Sequence, residues 1–327
     1  MEFRTEYKAA KSAITLSPET PAVMLGSCFT ENIAKRMRRC MWDAFNPAGT
    51  LFNPISICKA LDVLVLDPQD GESRFKKSLF TDNGTVHSWL FDSKMSGRTK
   101  AECCKKFQKA SMDLDEALEE AQVLFLTFGT AWVYSYSELG QPVGNCHKQP
   151  SMLFDRVLWN ADRIVEYCSE VLEDLNVLYP DLEVVFTVSP VRHVKEGLHE
   201  NMLSKAILLQ AVDTLCRDLD FCSYFPAFEI MIDDLRDYRF YADDLVHPSD
   251  MAVDYIWEKF KETYLNEKGK KILQEGERLA AGFNHRPIIP GTKEELKRME
   301  RLKADLNKFL EKHPLMKLEA DHFNAGE

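Results

Sequence analysis

Several features that define common protein classes are missing from this sequence. It has no uninterrupted apolar run of about 20 residues, the length that a membrane span requires, and residues 1–16 mix charged with apolar side chains, unlike a secretory signal. It also has no excess of basic residues, because 52 Asp and Glu outnumber 41 Lys and Arg for a net charge of −11. We therefore expect a cytoplasmic protein that binds neither membrane nor nucleic acid.

Paired cysteine motifs are absent as well. The nine cysteines are an odd number and none forms a C-x-x-C pair, which argues against a disulfide framework and a thiolate zinc site. His147, His193 and His199 form no H-x-x-x-H pair, so we expect them to serve structure or substrate contact and expect no metal or other cofactor. No internal repeat or low-complexity tract is evident.

Short apolar runs alternate with longer segments of helical period, which predicts an α/β fold with a central parallel sheet between two helix layers. Helices are predicted after the first strand and over residues 99–122, 160–178 and 202–219. The predicted strands are Ala22–Leu25, Val123–Phe128, Val184–Val188, Phe221–Phe225 and, with a weaker pattern, Met41–Phe45.

Two insertions and an extension are predicted around this core. Residues 67–98 carry turn residues and scattered aromatics, and we expect them to roof the site as part of an insertion spanning about 67–120. A second insertion, about 132–150, begins with a β-hairpin of Trp132–Ser137 and Gln141–Cys146 joined by Glu138-Leu139-Gly140. Residues 1–265 form the predicted main domain and 266–327 a helical extension, interrupted at Arg286–Gly291.

The last helix of this extension is predicted to begin at a capping box, Thr292-x-x-Glu295, and it carries an apolar stripe. Docking of this stripe on its own domain is favoured over a coiled-coil seam, because only about two heptads are present where about 3–4 are usual. A homo-oligomer formed through this helix stays open as an alternative.

Gly26-Ser27-Cys28-Phe29 marks the junction between the first strand and an amphipathic helix. A serine there projects from the carboxyl edge of the sheet, where open α/β sheets bind ligands and where helix-start amides can stabilise an oxyanion. Taken alone, the serine is better explained by helix capping than by nucleophilic catalysis. Cys28 is an alternative nucleophile, since a thiol at a helix N-terminus can have a lowered pKa.

Asp244-Leu245-Val246-His247-Pro248 precedes another predicted helix. A separation of three residues on a tight loop lets the Asp244 carboxylate bind one imidazole nitrogen of His247 while the other nitrogen accepts a proton. Together with Ser27 this predicts a triad in the chain order Ser, Asp, His. Asp244 and His247 could each, taken alone, be a residue that stabilises the start of the following helix, but their combination with Ser27 favours catalysis.

The sequence resembles the GSCFA family, which is grouped with SGNH/GDSL-like hydrolases. The likeness spans roughly residues 1–260 and rests on several segments. These are Gly26–Phe29, Asn46–Pro54, Phe128–Tyr134, Asn145–Lys148, Val188–His193 and Asp237–Tyr241.

The resemblance implies a flavodoxin-like SGNH sheet and a set of site residues. It implies Ser27 as nucleophile and oxyanion donor through its amide, Gly49 as a second amide donor, and Asp244 and His247 as the acid and base. The third motif departs from the Gly-x-Asn of SGNH enzymes, since Gly129 is followed by Thr130 and Ala131. We hypothesise that the Thr130 hydroxyl or the Asn145 side chain replaces the missing asparagine.

The remaining site candidates are His147, Arg192 and His193. Arg192 and His193 follow a strand end, which puts them on the same sheet edge as Ser27; binding of an anionic or polyhydroxylated substrate and bracing of the loop are equally compatible with that position. The leading functional hypothesis is a serine esterase or deacylase acting on a small-molecule or glycan ester. The alternatives are an O-acyltransferase with a sugar-like acceptor and a catalytically silent ligand-binding module.

Overall fold

In the computed structural model, residues 4–138, 140–284 and 291–318 are described. Within these ranges the strands are β1 (Ala22–Gly26), β2 (Ala44–Phe45), β3 (Leu79–Asp82), β4 (Thr85–Ser88), β5 (Val123–Phe128), β6 (Trp132–Tyr136), β7 (Gln141–Pro142), β8 (Phe154–Leu158), β9 (Glu183–Val188) and β10 (Cys222–Tyr224). The helices are α1 (Cys28–Arg39), α2 (Pro54–Leu61), α3 (Pro68–Lys77), α4 (Lys100–Glu120), α5 (Ala161–Leu178), α6 (Leu198–Asp218), α7 (Ala227–Glu229), α8 (Asp250–Tyr264), α9 (Glu267–Asn284) and α10 (Lys293–Lys312).

Five strands form one parallel sheet in the order β2-β1-β5-β9-β10. Numbered along the chain, this is the doubly wound order 2-1-3-4-5, in which the connection reverses direction between β1 and β5. The predicted α/β class with a central parallel sheet is confirmed. Open sheets of this kind bind ligands outside the carboxyl ends of the strands at that reversal.

The sheet is covered on both faces because alternate strand residues point to opposite sides. Val23 and Leu25 pack with one apolar cluster, which includes residues of α2, α4, α5 and α6. Ala22 and Met24 pack with another, which includes residues of α1, α8 and α9. Near-continuous apolar strands are the signature of a sheet buried on both faces, so the three layers follow from the sequence pattern.

Helix α4, at the end of the predicted 67–120 insertion, packs in the same apolar cluster as the sheet strands and is therefore part of one helix layer. The inserted part is α3 together with the β3–β4 hairpin. The predicted second hairpin also forms, but its second strand ends at Pro142, because the Gly144 amide turns to donate to the Trp89 carbonyl (2.7 Å). A third strand, β8, completes this small sheet and was not predicted. Leu139 of the predicted turn lies outside the described residues.

The C-terminal helices pack on the main domain. Ile272 and Leu273 of α9 and Leu306 and Phe309 of α10 are buried in the cluster that contains α1. Thr292 caps α10 by accepting a hydrogen bond from the Glu295 amide (3.2 Å), as its capping box predicts. Most of the predicted interruption, residues 286–290, lies outside the described ranges. In the described chain, no helix combines the length and apolar character that crossing a bilayer requires.

Candidate active site

A cavity of about 530 Å³ opens at the carboxyl edge of the sheet, beside the reversal between β1 and β5. The sheet edge contributes Cys28, Thr130 and residues 191–195, which follow β1, β5 and β9. Val246 and His247 come from the loop before α8. The opposite wall consists of Trp132 and Tyr134 of β6 and of residues 143–146, which follow β7.

Ser27 occupies the N-cap position of α1, yet its side chain makes no capping hydrogen bond. The residue is only 1% exposed, and its Oγ is buried with no hydrogen-bond partner in the structure. A buried hydroxyl without a partner is costly, and in native proteins such groups are few. The capping explanation of this serine is therefore wrong, and its hydroxyl is left unused by the fold.

Gly26 brings Ser27 close to the neighbouring strand. Its φ of +147° lies outside the range that most L-residues adopt, and a β-carbon there would overlap the carbonyl oxygen of Thr127 in β5. The Ser27 amide donates to that same carbonyl (3.2 Å). The prediction that this amide serves an oxyanion hole is therefore wrong for this structure, since the sheet already uses the N–H.

Asp244 and His247 form the predicted local pair. One carboxylate oxygen of Asp244 accepts from the Val246 and His247 amides (2.9 Å each), and the other lies 2.7 Å from His247 Nδ1. Leu245 reverses the chain between them with a φ of +58°. Because Nδ1 is held by the carboxylate, Nε2 is the nitrogen left for proton transfer.

The hydrogen bonds to the Asp244 carboxylate favour its ionised form. The His247 amide, the His247 side chain and the Val246 amide all favour the ionised carboxylate, and they lower the pKa of Asp244 to about 2. Both side chains are about half exposed, 51% for Asp244 and 44% for His247. The imidazole therefore carries a permanently charged partner and borders the cavity.

The structure joins the three predicted triad residues only in part. Ser27 Oγ makes no hydrogen bond to His247. The residue of this turn that borders the cavity with His247 is Cys28. Burial raises the pKa of the Cys28 thiol, so at neutral pH the group is protonated and a weak nucleophile.

Gly129 lies directly between the serine turn and the loop after β9. The position that a Gly129 β-carbon would take is 3.3 Å from Ser27 Cβ and 3.3 Å from His193 Nε2. The Gly129 amide donates to the Phe52 carbonyl (2.8 Å), so it is not free to bind substrate. Gly129 thus provides space in which Ser27 and His193 become neighbours.

Gly49 lies away from the cavity wall. Its φ is +76°, and the Asp92 carboxylate occupies the space that a β-carbon would need. That carboxylate also accepts from the Thr50 amide (2.7 Å). A negative charge packed against Gly49 makes this a poor position for an oxyanion donor, contrary to the expectation drawn from the resemblance.

The two side chains expected to replace the missing asparagine differ in what they can donate. Thr130 Oγ1 is 3.1 Å from Ser204 Oγ and accepts from the Trp132 amide (3.2 Å), so it is engaged in the loop. Asn145 lies on the cavity wall, where its Oδ1 accepts from the His147 amide (2.8 Å). This bond orients the Asn145 side chain and leaves its amide nitrogen as a donor.

His147 is a structural residue in this geometry. Its Nε2 is 2.8 Å from the Ser88 carbonyl oxygen and 3.0 Å from that of Phe91, and its ring packs against Phe80 and His87. It is not among the residues that line the cavity. The prediction that His147 binds substrate therefore finds no support, because its Nε2 is already engaged by the two carbonyl groups at the end of the β3–β4 hairpin.

His193 has an unused ring nitrogen beside Ser27. Burial, then the Lys205 and His247 charges, lower the pKa of His193 to about 4, so the ring is neutral at pH 7. Its backbone amide donates to Asn201 Oδ1 (2.8 Å), whereas Nε2 is buried without a partner. A neutral imidazole can donate one hydrogen bond without adding charge.

Lys205 is a functional candidate that the sequence analysis missed. It is 1% exposed, and its Nζ donates to the Gly129 carbonyl (2.6 Å) and the Ser189 carbonyl (2.7 Å). Burial lowers its pKa to about 7. The lysine ties together the loops that follow β5 and β9. Its sequence signal was a lysine on the face of α6 that also carries the buried Asn201 and Leu208.

Arg192 borders the cavity, with its guanidinium 5.4 Å from the centre of the Tyr241 ring and its amide donating to the Val246 carbonyl (3.1 Å). Among the residues that the structure describes, no group of three His, Cys, Asp or Glu side chains could hold a metal ion.

Comparison with models of protein families gives a match over residues 21–260, to the GSCFA family. No curated protein matches the chain.

Proposed function

We propose that this chain, which belongs to the GSCFA family, is a serine hydrolase of the SGNH type that cleaves an acyl ester through Ser27, Asp244 and His247. The observation that carries the proposal is the pairing of two features at one sheet edge. A buried serine hydroxyl has no partner, and the adjoining cavity is bordered by an imidazole oriented by an ionised carboxylate.

In the proposed reaction, Ser27 Oγ attacks the ester carbonyl carbon and its proton passes to His247 Nε2. The tetrahedral intermediate expels the alcohol, which takes that proton from His247. A water molecule then attacks the acyl-serine, giving its proton to His247, and the serine oxygen leaves with it as the acid is released. Asp244 remains ionised and stabilises the imidazolium in both steps. Attack requires Ser27 Oγ to turn toward the cavity, and the lack of any hydrogen bond to break favours this rotation.

The oxyanion needs donors other than the Ser27 and Gly129 amides, which are engaged within the fold. His193 supplies one through Nε2–H, since that atom is unpartnered and adjacent to Ser27. The Asn145 amide nitrogen on the opposite wall is the second candidate. A donor of this kind contributes on the order of 3 kcal/mol to the transition state.

Serine is favoured over cysteine as the nucleophile even though Cys28 borders the cavity. Its raised pKa leaves little thiolate at neutral pH, because burial disfavours the charged form. Ser27 needs no such ionisation, because a general base removes its proton during attack.

The test is covalent labelling with a fluorophosphonate probe, read by intact mass and peptide mapping. We expect one adduct on Ser27 of the wild type, no adduct on Ser27→Ala, and labelling of Cys28→Ser at a rate close to the wild type. Cys28→Ser is the matched control because it alters the adjacent residue of the same turn. Labelling that persists in Ser27→Ala and disappears in Cys28→Ser would identify the Cys28 thiol as the nucleophile. A wild type that is not labelled would contradict the hydrolase and favour a ligand-binding module without catalysis.

A further inference from the structure

The charges that line the cavity are opposite in sign to the charge of the chain. The protein has a net charge of −11, yet Arg192 and Lys195 line the cavity and no Asp or Glu of the described chain does so. An acidic protein repels anions at long range, so an anion must be drawn in by cations placed locally. The distribution therefore indicates a ligand with a negative charge.

Arg192 is positioned by contacts that leave its charge free. Its backbone amide is held by the Val246 carbonyl, and its guanidinium lies over the Tyr241 ring. Within the described residues, no carboxylate comes within ion-pair distance of Arg192 or Lys195, whereas Arg36, Arg74 and Arg217 each have such a partner. A guanidinium stacked on an aromatic ring keeps its N–H donors available for bidentate binding of a carboxylate or phosphate.

Lys195 faces the same space from the exposed turn that follows Arg192 and His193. Its charge is felt by Cys146 on the opposite wall, where it counteracts the effect of burial on the thiol pKa. The two cations therefore act on the same opening, and His193, between them in sequence, borders the proposed reaction centre.

Much of the remaining cavity wall is aromatic or aliphatic. Phe52, Trp132 and Tyr134 line it, together with the apolar Val143 and Val191. Aromatic walls provide apolar contact for a ring or a short acyl chain. The ligand that satisfies both parts is amphipathic, with a flat or apolar body and one anionic group.

We propose that the cavity selects acyl esters that carry a carboxylate or phosphate in the same molecule, bound by Arg192 and Lys195. This inference rests on the proposed function for its chemistry, but the anion site can be tested without turnover. A hydrogen bond to a charged group contributes about 1.5–3 kcal/mol, which corresponds to a preference of about tenfold to a hundredfold for the anionic ligand.

The binding test uses amide analogues, which Ser27→Ala cannot hydrolyse, and calorimetry at low salt. We compare 4-acetamidobenzoate, 4-acetamidophenyl phosphate and the neutral 4-acetamidobenzamide. At least one anion should bind about tenfold or more tightly than the benzamide, and the better anion identifies the group that the site prefers. Equal binding of all three, or no binding of any, would overturn the inference.

Arg192→Gln on the Ser27→Ala background should lower the ratio of anion to neutral affinity several-fold, because only Lys195 then remains, and Arg192→Gln combined with Lys195→Gln should bring the ratio close to one. Arg163→Gln is the matched control of the single variant, because Arg163 also stacks on an aromatic ring (3.6 Å from the centre of the Trp159 ring) but does not line the cavity. It removes the same charge and should keep the preference. An undiminished preference in Arg192→Gln, or an equal loss in Arg163→Gln, would contradict the assignment.

Turnover separates the two proposals. Wild-type kcat/KM is measured for 4-acetoxybenzoate and 4-acetoxybenzamide. Anion-selective binding with no hydrolysis of either ester would sustain the anion site and overturn the proposed function. Hydrolysis of both esters at equal kcat/KM, with no preference in binding, would sustain the hydrolase and overturn the anion site.

Discussion

The two halves of the candidate site are built in opposite ways. At the sheet edge, Ser27 and Lys205 are buried and His193 is partly buried, and the atoms Ser27 Oγ and His193 Nε2 are buried without a partner. In the loop before α8, Asp244 and His247 are about half exposed, and both oxygens of Asp244 are occupied. Each unpartnered buried group costs about 1–3 kcal/mol, so the buried half retains features that packing alone disfavours. The exposed half is set mainly by hydrogen bonds within one short loop, which also accepts a hydrogen bond from the Arg192 amide.

The sharpest test of this contrast is Asp244→Asn, which should lower kcat/KM by up to about 10⁴-fold while the melting temperature falls only slightly. An asparagine keeps an oxygen for the Val246 and His247 amides, but its NH₂ group would face His247 Nδ1 and favour the wrong tautomer. A loss of this size occurs when the carboxylate of such a triad is neutralised. Ester hydrolysis and thermal unfolding are the measurements.

Asp243→Asn is the matched control, since it makes the same substitution one residue earlier, at another exposed position. It should retain wild-type kcat/KM. If Asp244→Asn lowered stability strongly as well as activity, the loop would be coupled to the core, and the contrast between the two halves would fail.

The buried half is tested next by His193→Leu and His193→Gln. Leucine removes the donor and should lower kcat about 10²–10³-fold, the usual effect of losing one oxyanion donor. Glutamine keeps an N–H and should recover part of that loss. Because the change acts on the transition state, KM should move less than kcat. His199→Leu, at an exposed imidazole outside the cavity lining, is the control.

If kcat fell equally in His193→Leu and His193→Gln, His193 would have a packing role only. The pH dependence of activity provides a second test of the same residue. Since the pKa of His193 is lowered to about 4, its protonation should not contribute to the activity profile between pH 6 and 8.

Lys205 gives the smallest predicted effect, a change in the pH dependence of folding. Its pKa is about 7 in the folded protein and 10.5 when unfolded. Between these values the unfolded state binds a proton that the folded state has lost, so this residue makes stability rise with pH, by at most about 1.4 kcal/mol per pH unit. Lys205→Met should remove this contribution, seen as a shallower slope of the unfolding free energy in urea.

The window for this comparison is pH 7 to 8.5. Above it, buried thiols such as Cys40 and Cys222, whose pKa values burial raises, lose protons on unfolding and reverse the slope. Loss of hydrogen bonds to the Gly129 and Ser189 carbonyls will lower overall stability, so the slopes and not the absolute values are compared. Identical slopes in the two proteins would contradict the lowered pKa.

Interactions between residues close in the sequence could be predicted, whereas those between residues far apart in the sequence could not. The Asp244–His247 contact spans three residues and was foreseen in full, and the strand bounds of β5 agree with its apolar run. The engagement of the Ser27 amide by Thr127 was not foreseen, because it depends on how two distant strands approach at Gly26.

His147 and Lys205 were misjudged or missed for the same reason. The ring of His147 is held by carbonyls more than 50 positions earlier in the chain. Lys205 contradicts the expectation that lysines are exposed, and only the two loop carbonyls around it explain its burial. The strand β8 was missed because Asp155 and Arg156 interrupt its apolar pattern.

The wall of the cavity opposite the sheet has a consequence for how this protein can diversify. Trp132 and Tyr134 belong to a small antiparallel sheet, and residues 143–146 follow its strand β7. This segment is fastened to the β3–β4 region by the hydrogen bond from the Gly144 amide to the Trp89 carbonyl. Substitutions or length changes in these hairpins reshape the volume in front of Ser27 without altering a residue of the five parallel strands. Under the proposed function, this wall and the reacting residues thus belong to separate pieces of the chain, so the wall can vary over generations while Ser27 and the parallel strands are kept.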